Sequence, residues 1–586
     1  MSGHRFMITL DEARQPAREL VGGKAWSIAR MLSLGLRVPP AFVLTTDAFR
    51  AFDRERGFSS AMLDEIAEGL AWLEARTMRR FGAPERPLLV SVRSGAAVSM
   101  PGMMDTVLDL GMNDVTEAAL ARESGDPAFA RDTHRRFLEL FAEIVLKAHV
   151  TLDEGQSSAA WRRAIEDASG EPVPSDPIEQ LHRACRAVFE SWNSSRAVRY
   201  RKHRQIPDDL GTAVTVQAMV FGNLGERSGT GVLFSRNPLT GAKEVYGEYL
   251  RRAQGEDVVS GKVTPEPLSK LATTEPELYR EILEASSTLE RANREIQDVE
   301  FTVQEGRLYL LQSRAAKLAP VAAIETSVDL VREGMLDEQA ALMRLSSDQV
   351  RLVLAPRLAA GLETNDALAC GVGACPGVGI GVAVDDPDEA ARRAAAGEDV
   401  VLVRQTTSPK DVHGMLAAVA VVTEQGGSTS HAAVVSRALG LPCVVGCGAQ
   451  KAAELTGQLV TVDGASGKVF PGRLAVETPD ERTMQALQRI AAWARERSPI
   501  AVVEERVPGV VDLDGIEGGA DPERIGSVLG GLDTGAGVTG GAIASEAGVR
   551  AAIEAGVAVI VARPALPVLL CAAQIAIRNV EQKEIE

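Results

Sequence analysis

Three kinds of hydrophobic pattern divide the chain. Over residues 1–110, short apolar runs are broken by glycine and proline, as in LRVPPAFVLTT and PLLVSVRSGAAVSMPGMMD. These predict strands joined by tight loops. From about residue 115 to 205 the period becomes helical, as in RRFLELFAEIVLKAH and PIEQLHRACRAVFESW. Strands return in GTAVTVQAMVFG, GTGVLFSRNP and VEFTVQEGRLYLLQSR. The segment 328–358 is charged and helical in pattern, which suits a connector. Beyond Cys370 the apolar runs VVLVR (400–404), VAVV (419–422), PCVVG (442–446) and LVTV (459–462) predict a second α/β unit. DERTMQALQRIAAWARERS then predicts a further helix, and the glycine- and alanine-rich residues 501–586 form a fourth region.

Composition narrows the picture. A chain of 586 residues, 45% hydrophobic and 24% charged, has room for roughly three or four globular domains. Its net charge of −17 argues against a broad nucleic-acid or anionic-membrane surface and leaves room for a local basic pocket. None of Cys185, Cys370, Cys375, Cys443, Cys447 and Cys571 forms a CxxC pair, so reduced, mostly buried thiols are expected rather than a metal site. The opening MSGHRFMITLDEARQ has no apolar core, and no uncharged run reaches membrane-spanning length. The expected location is the cytoplasm.

Candidate chemistry concentrates in two places. In TEQGGSTSHAAVVSRALG, Gly426 and Gly427 permit unusual backbone angles, and Ser428, Thr429 and Ser430 are good helix N-cap residues. HAAVVSRALG reads as a helix ending at Gly440. His431 then lies in its first turn, where free N–H groups and the positive dipole end favour an anion. An imidazole there can act as a nucleophile whose phosphorylated form is stabilised by the backbone; the plainer reading is a capping or packing histidine.

The second place is spread over the first 318 residues. VGGKA puts Lys24 behind two glycines, and Arg93 ends a predicted strand before a flexible loop. In QDVEFTVQEGRLYLLQSR, Asp298 and Glu300 are two apart on one strand and so share a face. After the QEGR hairpin, Gln312 and Arg314 repeat that relation on the returning strand. Hard oxygen ligands beside guanidinium donors are what a Mg2+–triphosphate requires.

With these motifs in order, the chain resembles the pyruvate phosphate dikinase family from about residue 20 to 500. GGSTSHAAVVSRALGLPCVVG resembles the family's active-site signature, and VRSGAAVSMPGMMDTVLDLG its ATP-domain loop. GTAVTVQAMVFGN, GTGVLFSRNPLTG, AQGEDVVSG and DVEFTVQEGRLYLLQSR are similarly close. The resemblance implies an α/β multidomain protein. An ATP-grasp nucleotide-binding domain (1–318) would carry a helical insertion (about 115–205). A helical connector (319–368), a swivelling phosphohistidine domain (369–478) and a linker helix (479–500) would follow, then a small α/β region of unknown role (501–586).

By the same resemblance His431 is the phosphate carrier. Lys24, Arg93 and Arg314 would contact ATP phosphates, Glu300 and Gln312 would hold Mg2+, and Asp298 would support them. Thr429 matches a position that regulatory proteins phosphorylate in some members. The signature departs at Ser428, where the family usually has methionine. The family mechanism releases AMP from ATP, transfers a phosphoryl group to inorganic phosphate to form pyrophosphate, and passes the second to pyruvate, giving phosphoenolpyruvate. Residues 501–586 are too few for the family's (β/α)8 acceptor barrel of roughly 250 residues. The acceptor site is therefore expected on a partner subunit, and a homodimer is a further expectation. Two other readings stay open: a non-pyruvate acceptor, and a nucleotide-binding regulatory paralogue.

The tail carries one more pattern. With one gap, Pro409, Leu416, Gly426 and Ser430 align with Pro522, Leu529, Gly541 and Ser545, and His431 falls opposite Glu546. This reads as a half-copy of the phosphohistidine unit without its nucleophile, and it requires the same strand order in both.

Overall fold

Two antiparallel sheets build the first half of the protein. One has the strand order Met7–Leu10, Ala41–Leu44, Ala213–Ala218, Val90–Gly95, Thr106–Leu110. The other runs Glu266–Pro267, Tyr246–Arg251, Gly229–Phe234, Gln297–Gln304, Arg307–Ala315. The computed structural model describes residues 6–11, 15–98, 100, 103–259, 264–354, 357–358, 367–439, 441–477, 479–505, 507–513, 516–519, 521, 523–531, 537–562 and 564–585. Five α-helices between Asp114 and Arg204 form the insertion, and their apolar faces join the core of the first sheet.

Residues 1–110 depart from the strand-and-loop expectation. They include the helices Arg18–Ser33, Thr46–Glu55 and Ser60–Thr77. Thr45 and Ser59 cap the last two by accepting from the N–H groups of Ala48 and Met62. These caps, with the alanine, leucine and glutamate of SAMLDEIAEGLAWLEART, outweigh the local strand signals.

The second α/β unit is an eight-stranded sheet. Its central strands Val378–Val384, Val400–Arg404, Ala420–Thr423 and Cys443–Val445 lie parallel and in sequence order. They are covered on both faces, which is why VVLVR is apolar throughout rather than alternating. The chain enters and leaves this unit through a short antiparallel pair, Arg357–Leu358 against Val476–Glu477.

The connector helices Pro320–Arg332, Glu338–Arg344 and Ser347–Leu354 do not stand alone. They share one core with Glu481–Arg497 and with the C-terminal helix Ala565–Ile585, through residues such as Ile324, Leu342, Ile490 and Leu570. The C-terminal region is a parallel sheet ordered Ala501–Val503, Val559–Val561, Val538–Thr539, Val511–Asp512. Its strands 511–512, 538–539 and 559–561 adjoin in sequence order, as 400–404, 420–423 and 443–445 do. Ser545 caps a helix whose first residue is Glu546, in the place His431 holds in its own helix. The flanks differ: 501–503 runs parallel to its neighbour, whereas Val372–Cys375 runs antiparallel to Cys443–Val445. Any right-handed succession of strand and helix takes this order, so it agrees with a half-copy without singling it out. Pro522 lies outside the described residues.

All six cysteines are free thiols, five of them buried and Cys370 exposed. Among the described residues, no helix is long and apolar enough to cross a membrane.

Candidate functional site

The hairpin Gln297–Gln304/Arg307–Ala315 turns through Glu305 and Gly306, both at positive φ, which suits a two-residue hairpin loop. Its register sets Asp298 opposite Arg314 and Glu300 opposite Gln312. Residues directly opposite one another share a face. Glu300 also faces Val232, and Val232 faces Glu248 on the next strand, so Gln312, Glu300 and Glu248 lie along one row.

Side chains from the other sheet close over this row. Arg93 Nη2 lies 3.1 Å from Glu300 Oε2 and 3.4 Å from Gln312 Oε1. Arg314 Nε donates to Asp298 Oδ2 at 2.8 Å. Lys24 comes in on helix Arg18–Ser33, which kinks at Gly22 with φ of 74°. A Cβ on Gly22 would sit 2.0 Å from the Gly95 carbonyl oxygen, and the Gly23 N–H donates to the Ala96 carbonyl at 2.9 Å. The glycines thus let the helix start lie directly on the end of the Arg93 strand.

Charge is crowded here. Burial, with Arg93 and Arg314 nearby, lowers the Lys24 ammonium to about 7, against the opposing pull of Glu300. Burial pushes the Glu300 carboxyl up, but Arg93, Arg314 and Lys24 outweigh it and hold the group below its ordinary value. All six predicted residues therefore meet in one cluster: three cations, two carboxylates and an amide. Two carboxylates and an amide oxygen are a hard-oxygen donor set of the kind Mg2+ takes. Beside the cluster opens a cleft of about 240 Å3, lined by Arg93 and Glu300, by Gln217 and Met219, and by Gln254 and Glu256 of AQGEDVVSG. Ser99, Pro101 and Gly102 of the SMPGMMD loop lie outside the described residues.

His431 begins the helix His431–Leu439, as its sequence predicts; Gly440 lies outside the described residues. Its Nδ1 is 3.2 Å from Thr407 Oγ1. Its Nε2 is buried and has no hydrogen-bond partner among the described residues. Burial lowers the imidazole pKa, partly opposed by Asp411, so the ring is neutral at pH 7. A neutral ring that gives its Nδ1 proton to Thr407 presents the Nε2 lone pair as a nucleophile.

Of the three expected capping residues, Ser430 has a buried Oγ with no hydrogen-bond partner among the described residues, and Ser428 and Thr429 direct their hydroxyls elsewhere. Ser428 Oγ donates to Glu248 Oε1 at 2.9 Å, and Thr429 Oγ1 to Glu248 Oε2 at 3.0 Å. Both hydroxyls reach across to the sheet of Tyr246–Arg251, where a carboxylate is a strong acceptor for an O–H donor. Gly427 lies close against this contact: a Cβ there would meet Glu248 Oε1 at 3.0 Å, so the carboxylate would have to shift by a few tenths of an ångström. The Ser428 hydroxyl, where the family usually has methionine, is thus half of the clasp. Glu248 and Thr407 carry no local sequence signal: each matters through a partner distant in the chain.

The arrangement has counterparts among known proteins. A family model described as pyruvate phosphate dikinase, AMP/ATP-binding domain, matches residues 18–80 and 58–286. Another, described as PEP-utilising enzyme, mobile domain, matches residues 396–467. The pyruvate, phosphate dikinase of Clostridium symbiosum is 40% identical over 528 residues, 84% of this chain and 60% of that protein. Pyruvate, phosphate dikinase 2 of Oryza sativa subsp. japonica is 42% identical over 504 residues, 80% of this chain and 57% of its own length. The chain thus spans less than two thirds of the length of these relatives.

Proposed function

Because the chain belongs to the pyruvate phosphate dikinase family, we propose that it is an ATP-dependent dikinase that charges His431 with phosphate. The observation that carries this reading is the row Gln312–Glu300–Val232–Glu248. One end of it joins the cluster of Lys24, Arg93 and Arg314, and the other holds the loop that presents His431. The two facing sheets with a cleft between them suit an ATP-grasp nucleotide domain.

In this reading the triphosphate lies against Lys24, Arg93 and Arg314. Neutral His431 attacks the β-phosphorus through Nε2, AMP leaves, and the imidazole carries a pyrophosphoryl group. Inorganic phosphate accepts the terminal phosphoryl group as pyrophosphate, and the remaining one passes to pyruvate or a related acceptor. Glu300 and Gln312, supported by Asp298, would hold Mg2+, which offsets charge on the phosphates. The protein's own contribution is positioning and charge compensation. Arg93 holds Glu300 and Gln312 in place, and Thr407 orients the imidazole. All of these residues are present, which favours an enzyme over a nucleotide-binding regulatory paralogue.

The test is label transfer from ATP carrying radioactive β-phosphorus, with Mg2+. Acid-labile, base-stable label on the wild type with AMP release, and none on His431→Ala, is the expected outcome. Nucleotide binding without label on either protein would overturn the reading in favour of the regulatory one.

A further inference from the structure

SPKD, residues 408–411, follows the strand Val400–Arg404 and has the serine-to-acid spacing of a capping box. It forms one. Asp411 Oδ2 accepts from the Ser408 N–H at 2.7 Å and from the Ser408 hydroxyl at 2.8 Å, closing the short helix Pro409–Asp411. Its other oxygen, Oδ1, lies 3.1 Å from Arg404 Nη2. Arg404 is tied down in turn, donating through Nη1 to the Asp385 carbonyl at 2.8 Å, just beyond the strand Val378–Val384. The Asp411 carboxylate is only 4% exposed, and a charge that deep is tolerated because these donors surround it. So much fixing is more than a single helical turn requires for itself.

What the network fixes is Thr407, the residue before Ser408. Thr407 Oγ1 lies 3.2 Å from His431 Nδ1, while ring Nε2 has no partner among the described residues. A hydroxyl can accept the Nδ1 proton or give its own, and only the first leaves the Nε2 lone pair free. Nδ1 is the ring atom turned toward the 404–411 segment. Among the described residues, Asp411 is the charged group whose field acts on the ring. A negative charge on that side favours the proton at Nδ1. A chain of contacts thus runs from Asp385 through Arg404, Asp411 and Ser408, and over one peptide bond to Thr407 and the imidazole.

We propose that Asp411 is a positioning residue for His431: anchored by Arg404 and holding Ser408, it places Thr407 so that the imidazole keeps its proton on Nδ1 and presents Nε2. That the ring then takes up phosphate rests on the dikinase reading; the choice of tautomer does not.

The experiment combines nitrogen NMR of the full chain, labelled in its histidine rings, with the labelling rate from ATP. Wild type, Asp411→Asn, Thr407→Ala and the double variant are compared, and the signal absent from His431→Ala identifies the ring. The wild-type ring is expected to be protonated at Nδ1, and Asp411→Asn to move it toward the Nε2–H form. Labelling should slow about tenfold or more in each single variant. ATP affinity should stay within about twofold, since neither residue lines the nucleotide cleft. Because Asp411 acts through Thr407, the double variant should label within about threefold of the slower single one. Ser408→Ala removes the hydroxyl contact alone and should shift the same signals by less, which keeps the test readable if Asp411→Asn does not fold. A wild-type ring protonated at Nε2, a tautomer indifferent to Asp411→Asn, or single-variant effects that multiply in the double variant would each overturn the proposal. A tautomer that shifts as expected in a protein that takes no label would keep the positioning role and lose the dikinase reading.

Discussion

Lys24 is the residue whose chemistry is most exposed to measurement. With the ammonium lowered to about 7 by burial and its cationic neighbours, it is about half charged in the free protein at neutral pH. A bound triphosphate favours the charged form, so ATP binding takes up a proton above pH 7. The sign follows: affinity falls as pH rises through and beyond 7, by at most about tenfold per unit for one linked proton. Calorimetry at pH 8 in buffers of different ionisation enthalpy checks this, and a binding heat that does not vary with buffer would refute it. Lys24→Met is expected to lose both the proton uptake and at least about tenfold in ATP affinity, since it removes a charged contact to phosphate. His431 is the opposite case. Its lowered pKa keeps the ring neutral, so labelling should retain its rate below the ordinary histidine range and fall only at lower pH. A rate that halves near pH 6.5, the ordinary histidine value, would contradict that.

At the scale of elements, much was legible in the chain because the period of two on a strand is rigid. The spacing of Asp298 to Glu300 and of Gln312 to Arg314, with QEGR between them, is enough to place all four side by side, and the register agrees. VVLVR and its neighbours likewise fall on the observed strands, because continuous apolar runs have few other uses. Two of the helices within residues 1–110, Thr46–Glu55 and Ser60–Thr77, were not legible from apolar runs, since their caps, Thr45 and Ser59, decide them. The clasp at Glu248 could not be read at all: its partners lie about 180 residues away in the chain. The clasp predicts a specific phenotype. Glu248→Gln leaves an amide with one acceptor oxygen for two hydroxyls, and its labelling of His431 should slow about tenfold or more while ATP affinity changes little. Thr429→Asp brings a second carboxylate against Glu248, and like-charge repulsion should abolish labelling with the fold intact. Wild-type labelling rates in both variants would show that the clasp does not position His431.

For the whole molecule, the two chain crossings into and out of the eight-stranded unit stand on a base that includes the C-terminal helix. Arg357–Leu358 pairs with Val476–Glu477 at the base of the unit, and below them the connector helices share a core with Glu481–Arg497 and Ala565–Ile585. Polar contacts reinforce this packing. Thr483 donates to buried Glu325 at 2.8 Å, and Gln574 donates to the carbonyls of Leu342 and Leu345 at 2.7 Å each. Arg236, fully buried, pairs with Glu290 and with Glu333, joining the end of the first connector helix to the helix Pro276–Asn293. The strand pair is thus a narrow junction standing on a packed helical base. Leu570, fully buried in the shared core, tests the coupling. Leu570→Ala is expected to cost about 2–5 kcal/mol of stability in urea unfolding. Amide exchange should then quicken in residues 320–354 and 481–497 as well as in the C-terminal helix, because one core serves all of them. Faster exchange confined to residues 565–585 would mean that the tail packs on the base without supporting it.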